Sequence, residues 1–327
     1  MKSETQYYND ISILRVSAML MVVFYHCLCP YTTIWEGSPY GVGFQVPIWQ
    51  SIDMMLGQLH LPIFFLISGF LYGCKRIRGG YSDFRQFVRG KVKRVLLPYV
   101  MVGLFLCLLQ HRGLDQMLYG VSHLWFLVVI FECYLFGRLL DFVLLMGKKQ
   151  SKMLIAVTIC FIVFVSYRLP GNRILCEPLF VKYFPLYMIG MLLSKVNFGR
   201  LAMLHGRILL YMFIALAVFV MQQLFLRRSI LDQMTAVSVI VLLFVSLRTM
   251  KIKSLPSSIR SLDKCSMGIY IVHHVVIQEM NGIAYFHHLA STHCYLYPIV
   301  QFVMLTLLSW GFVALCGKSK YSKYVLG

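Results

Sequence analysis

The sequence predicts an all-α integral membrane protein with about ten transmembrane helices and both termini in the cytoplasm. Three observations carry that prediction. Of the 327 residues, 59% are hydrophobic and only 13% charged, with a mean hydropathy of +0.73. A soluble domain sits near half apolar and about a quarter charged. Apolar stretches also recur from the first twenty residues to the last thirty, which excludes a soluble body on a single anchor. Finally, runs such as 153–165 and 208–226 do not alternate, as the strands of a barrel must. Helices that satisfy their own backbone are what remains.

Apolar windows of about twenty residues place the spans at 11–29, 52–74, 95–110, 122–146, 153–167, 179–194, 208–226, 233–247, 265–280 and 295–316. The net charge of +19 comes from 31 basic and 12 acidic residues. In a soluble protein it would point to nucleic acid; here it reads as topology, and no nucleic-acid partner is expected. With the N-terminus inside, 23 basic residues fall in inward segments and 6 in outward ones, while Arg15 and Arg138 lie within spans. That asymmetry obeys the positive-inside rule and supports an even span count. The longest connections are an outer loop at 30–51 and a basic inner loop at 75–94.

No cleavable signal peptide is expected, because the first apolar stretch contains Arg15 and lacks a small-residue cleavage site. Ten cysteines without regular spacing argue against a disulfide framework or a zinc site, and no metal is expected. Cys176 and Cys294, both in predicted outer loops, are the one pair placed to meet. Residues 1–327 therefore read as a single transmembrane domain. Its chemistry must come from polar residues within or at the rims of the helices, where ionisable groups are costly and mark function.

Arg15 and His26 are eleven positions apart. On a helix that is three turns plus roughly 20°, so both share one face, about 16 Å apart along the axis. That face should look into protein or a wet cavity, unless Arg15 snorkels to the headgroups and His26 makes a plain interhelical contact. The second span carries His60, Pro62 and the pair Ser68-Gly69; the pair also suits simple close packing of helices. Lys91, Lys93 and Arg94 precede the third span. They can hold phosphates through charge-assisted hydrogen bonds or anchor the chain to anionic lipid. The fourth span opens with His123-Leu-Trp125-Phe126 and buries Glu132, while Arg138 and Asp141 have the spacing of a helical ion pair. The ninth reads Gly268-Ile-Tyr270-Ile-Val-His273-His274. Neighbouring histidines point about 100° apart, so only one of them is expected to face a shared cavity. His287, His288 and His293 crowd the outer loop that follows, without ordered ligand spacing.

Taken together, these segments resemble the acyltransferase-3 family, bacterial multi-helix membrane enzymes that acylate envelope glycans. Arg15 and His26 are similar to its R-x10-H signature, and His60 to Tyr72 to its "PlFFxxSGFl" segment. Lys91 to Tyr99 resembles its basic-x-x-R…PY segment, His123 to Phe126 its "HlWFL" stretch, and Gly268 to His273 its "giYllH" stretch. The matches follow the family's order from residue 11 to about 274. One departure is that the family's arginine pair is Lys91 and Arg94 here; lysine keeps the charge and loses the bidentate fork. The resemblance implies a membrane unit that acts alone or hands acyl groups to a separate partner.

It further implies a membrane O-acyltransferase of the bacterial inner membrane, using acetyl-CoA or another short-chain acyl-CoA and a hydroxyl of a cell-envelope glycan. His26 would be the general base, suited by its ordinary pKa near 6.5, with Arg15 orienting the donor. Lys91, Arg94, Arg15, Ser68 and Gly69 would contact the CoA donor. His60, His123, Trp125, Glu132 and His273 are the candidates for the acceptor. The alternative from another class is an exporter of a glycan or lipid-linked sugar, since intramembrane Arg, Glu and His also suit a solute path. Against it, no matched halves of the kind common in transporters are visible.

Overall fold

The computed structural model describes residues 8–35, 38–146, 174–225, 230–250, 252–317, 319 and 325–326. These residues form helices and connecting turns, with no strand among them. The principal helices are α1 (Asn9–Leu28), α2 (Pro47–Ile77), α3 (Phe84–Lys91), α4 (Leu97–Leu109), α5 (Trp125–Met146), α6 (Glu177–Leu193), α7 (His205–Phe225), α8 (Ile230–Thr249), α9 (Ser257–Gly282), α10 (Ala284–Thr292) and α11 (Tyr297–Cys316).

Seven helical stretches among the described residues are long and apolar enough to cross a membrane, where the sequence led us to expect ten: 9–31, 47–77, 84–109, 122–141, 198–225, 231–249 and 297–316. The expected span at 153–167 lies outside the described residues. The span expected at 179–194 is α6, whose 17 residues reach about 26 Å, short of a hydrocarbon core of roughly 30 Å. The span expected at 265–280 is α9, which extends to 26 residues by adding a polar first half. It buries Asp263, Ser266, His273, His274, Gln278 and Asn281, polar residues turned to protein that keep it out of the seven apolar stretches. The basic loop expected at 75–94 is mostly helix as well. Asp83 caps α3 by accepting from the Arg85 and Gln86 amides at 2.8 and 3.3 Å. From Lys91 a π-helical stretch, Val92–Leu96, leads into α4. Pro98 supplies the cause, because without an N–H it cannot bond the Arg94 carbonyl and the turn widens.

The chain divides into two compact units, 1–64 with 197–315 and 65–196 with 316–327. In the first, α1 packs along α9 and α7 pairs with α8. Thr235 on α8 donates to Gln222 on α7 at 2.6 Å. Arg248 on α8 reaches Asp10 on α1 at 2.8 Å. Gln301 and Trp310 tie α11 to Asn281 and Ser261 of α9 at 2.8 and 3.0 Å. The described residues of the connection, 30–35 and 38–46, form a small cap. Tyr31, Val42, Val46 and Trp49 cluster with Leu28, Ala290 and Tyr297, and Trp49 donates to the Cys294 carbonyl at 2.7 Å. His287 and His288, expected in a loop, lie on α10, where His287 donates through Nε2 to the Gly41 carbonyl at 3.1 Å.

The second unit is built on an aromatic core around α2, α5 and α6. Phe65 stacks on Tyr183 with centroids 4.7 Å apart, and Trp125 stacks on the same tyrosine at 5.9 Å. The crossing of α2 and α6 is very close. A methyl group at Gly69 would collide with the Tyr187 carbonyl, and one at Gly190 with the Leu66 carbonyl. Only glycine allows such backbone approach.

Candidate active site

Arg15 and His26 lie at opposite ends of α1 and both reach α9. Arg15 donates through one terminal nitrogen to Asp263 Oδ1 at 2.7 Å, and Ser12 donates to Asp263 Oδ2, also at 2.7 Å. Asp263 is buried, whereas the Arg15 side chain is 30% exposed. The ion pair occupies one of the guanidinium's five donors, which leaves the cation presented at the rim. Three turns further on, His26 Nδ1 lies 2.9 Å from His273 Nε2. Because Arg15 meets residue 263 and His26 meets residue 273, α1 and α9 run parallel, as two odd-numbered crossings of one chain would.

The surroundings of His26 are aromatic. His274 approaches it edge-on at 4.7 Å and His273 lies tilted at 5.0 Å. The expectation that only one of these neighbouring histidines would face the shared space is therefore corrected. The His26 ring sits over the junction between them, so a 100° separation brings both to it. Tyr25 packs edge-on against His26 at 5.3 Å and lies tilted against His60 at 4.7 Å. Trp35, from the cap, stands edge-on to His274 at 5.9 Å. His60 is buried, with Nδ1 on the Leu56 carbonyl one turn back on α2. Asp53 lies on the same α2 stripe as His60, buried and with Oδ1 lacking a hydrogen-bond partner among the described residues.

The remaining candidates belong to the second unit. Lys91 places its ammonium 3.2 Å from the centre of the Tyr134 ring, with Tyr81 and Phe87 at 5.6 and 5.9 Å. Burial, with Tyr134 close by, pushes the Tyr81 hydroxyl up to about 12, so it stays a neutral ring wall for the cation. Lys93 and Arg94 are exposed on the π-helical stretch. Ser68 is half-buried, and Gly69, expected at the donor, is occupied with the α2–α6 crossing. His123 is buried in the turn before α5, Trp125 lies over Tyr183, and Glu132 is half-buried on α5. Arg138 and Asp141 do pair, at 3.2 Å, and Asp141 also takes Tyr72 at 2.6 Å and Arg76 at 2.5 Å. The pairing considered for Cys176 and Cys294 is absent: both are free thiols. Burial, then the Glu132 carboxylate, raise the Cys176 thiol to about 11.

Sequence reasoning missed Asp263, Tyr25, Trp35, Asp53 and Tyr134. Asp263 carried a legible signal, an acidic residue ten positions before His273. It escaped because the apolar window opened two residues later.

A helical fold with several membrane-length apolar helices, and with an Arg–Asp pair and a histidine pair along one parallel helix contact, defines a polytopic membrane protein. A family model described as an acyltransferase domain matches residues 8–317. The chain belongs to the acyltransferase-3 family, and it is a membrane acyltransferase. No curated protein and no solved structure matches it.

Proposed function

We propose that the protein transfers a short acyl group, acetyl in the simplest case, from acyl-CoA to a hydroxyl of a cell-envelope glycan at the bacterial inner membrane. The observation that carries this reading is the half-buried His26 ring held against His273, 2.9 Å away, with the Arg15 cation on the same helix face. An imidazole is the side chain best matched to moving a proton near neutral pH.

In the reaction, His26 removes the proton from the acceptor hydroxyl as its oxygen attacks the thioester carbonyl. A C–O bond forms and the C–S bond breaks. The proton on His26 then passes to the departing CoA thiolate, and the base returns to its starting state. Arg15, with one donor engaged by Asp263, orients the donor through those that remain. Lys91, Arg94 and Ser68, in the second unit, are assigned to the CoA donor, the two cations to its phosphates. Lys91 supports this less directly than Arg94, because its ammonium lies against Tyr134 whereas Arg94 is exposed. Tyr25 and His60 form the wall next to His26 and are assigned to the acceptor, as are His123, Trp125 and Glu132.

The test uses radiolabelled acetyl-CoA with membranes containing wild type or His26→Ala. Label should enter the glycan fraction with wild type and fall by on the order of 10²- to 10⁴-fold in the variant. Equal labelling would defeat the assignment. A change in glycan location at constant acyl content would instead identify an exporter.

A further inference from the structure

We propose that His273 is the positioning residue of this site: it holds His26 as the Nδ1–H tautomer and so sets the lone pair of that imidazole on Nε2. A backbone carbonyl only accepts, so the 2.9 Å contact between His273 Nδ1 and the Ile269 oxygen requires an N–H on that nitrogen. The His273 ring is fully buried, and burial favours the neutral imidazole over the ion. A neutral ring protonated at Nδ1 has its acceptor at Nε2. That acceptor lies 2.9 Å from His26 Nδ1. Two acceptors make no hydrogen bond, so His26 donates from Nδ1 and carries its lone pair on Nε2.

The exposure of the two rings then separates their roles. His26 is half-buried and can meet a substrate, whereas His273 is sealed in α9. The chain from the Ile269 carbonyl through His273 to His26 does what the carboxylate of a Ser–His–Asp triad does, orienting the base without taking its proton. The catalytic consequence rests on the acyl-transfer reading; the tautomer does not.

The same arrangement sets an acid limit. Protonating His273 turns its Nε2 into a donor, so His26 must accept at Nδ1 and carry its proton on Nε2. The site acts as a base only while both rings are neutral. Among the described residues, the pair is faced by the titratable groups Tyr25 on α1 and Tyr270 and His274 on α9, with His60 of α2 behind Tyr25.

The experiment is long-range 1H–15N correlation NMR on the full chain in lipid nanodiscs, labelled at histidine, with His26 assigned through His26→Asn. At neutral pH, wild-type His26 should show a protonated Nδ1 and a bare Nε2. His273→Ala should abolish that preference, and His273→Gln, whose amide oxygen can accept the same bond, should keep it. A wild-type His26 protonated at Nε2 overturns the proposal without recourse to any variant, as does an unchanged tautomer in His273→Ala. Measured alongside as acetyl-CoA consumption, His273→Ala should lower kcat by on the order of 10²-fold at unchanged KM, with His273→Gln recovering part of the loss. The expected tautomers together with no acetyl-CoA consumption by wild type would retire the acyl-transfer reading and leave the positioning assignment intact.

Discussion

Arg15 sits in a helix that is otherwise almost wholly apolar, and the partner that makes this tolerable is Asp263. The two ends of the pair are not equivalent. Asp263 is 4% exposed and Arg15 is 30% exposed, so deleting the cation leaves a buried carboxylate without its counter-charge, whereas deleting the anion releases a guanidinium that water already touches. Breaking a buried pair costs roughly 3–5 kcal/mol, and the partial exposure of Arg15 reduces this to about 1–2 kcal/mol. Thermal unfolding in detergent should therefore show a larger drop in Tm for Arg15→Met than for Asp263→Asn. The double variant should recover part of the loss, and a larger drop for Asp263→Asn would contradict the burial argument. At the same scale, transfer by His26 has a defined pH sign. The protonated imidazole has no lone pair to accept with, so activity should decline as pH falls through the imidazole range, near 6.5 for an unperturbed ring. A rate that is flat from pH 8 to pH 5 would exclude His26 as the base. The Arg15–His26 stripe was legible because helical period is simple arithmetic. Asp263 was not, and His273 was read as an acceptor contact rather than as the partner of His26, because a contact between residues about 250 positions apart leaves no mark in a local pattern.

At the scale of elements, the sequence reading succeeded where apolar length decides the outcome and failed where polar burial does. The helices α1, α2, α4, α5, α7, α8 and α11 fall close to their expected windows. The boundaries of α9 were lost because Arg260, Asp263 and Lys264 ended the apolar run while the backbone continued as helix. The inner basic segment was lost for a related reason, since α3 buries only Phe87 and leaves Arg85 and Arg89 outside. Ser68-Gly69 was read two ways, and the packing alternative describes Gly69. The α2–α6 crossing supplies a prediction of its own. Adding a β-branched side chain at Gly190 meets the Leu66 carbonyl and the Phe70 amide, backbone atoms that cannot rotate away. Overpacking of this kind costs about 1–3 kcal/mol or more. Gly190→Val should lower Tm well beyond Gly206→Val on α7, where an added methyl meets open space. Equal effects of the two variants would mean that the close crossing is not what stabilises the second unit.

For the whole molecule, sidedness gives the two ends of the site their meaning. The parallel run of α1 and α9 puts the Arg15–Asp263 pair toward the N-terminal end of both helices and the histidines toward the far end. Combined with the positive-inside asymmetry, this predicts that the cation end faces the cytosol, where acyl-CoA resides, and that His26 and His273 lie nearer the outer surface. Reporter fusions that are active on only one side of the membrane can check this. Fusions after Val196 and after Gly317 should report the cytosol, because they follow inward segments carrying Lys195 and Lys318 and its neighbours. A fusion after Leu296, beyond α10 and the cap formed with Tyr31 and Trp49, should report the outside. A Leu296 fusion on the cytosolic side would turn the molecule over and put the histidines next to the donor pool. Transfer to an external glycan would then fail even if His26 remained an active base.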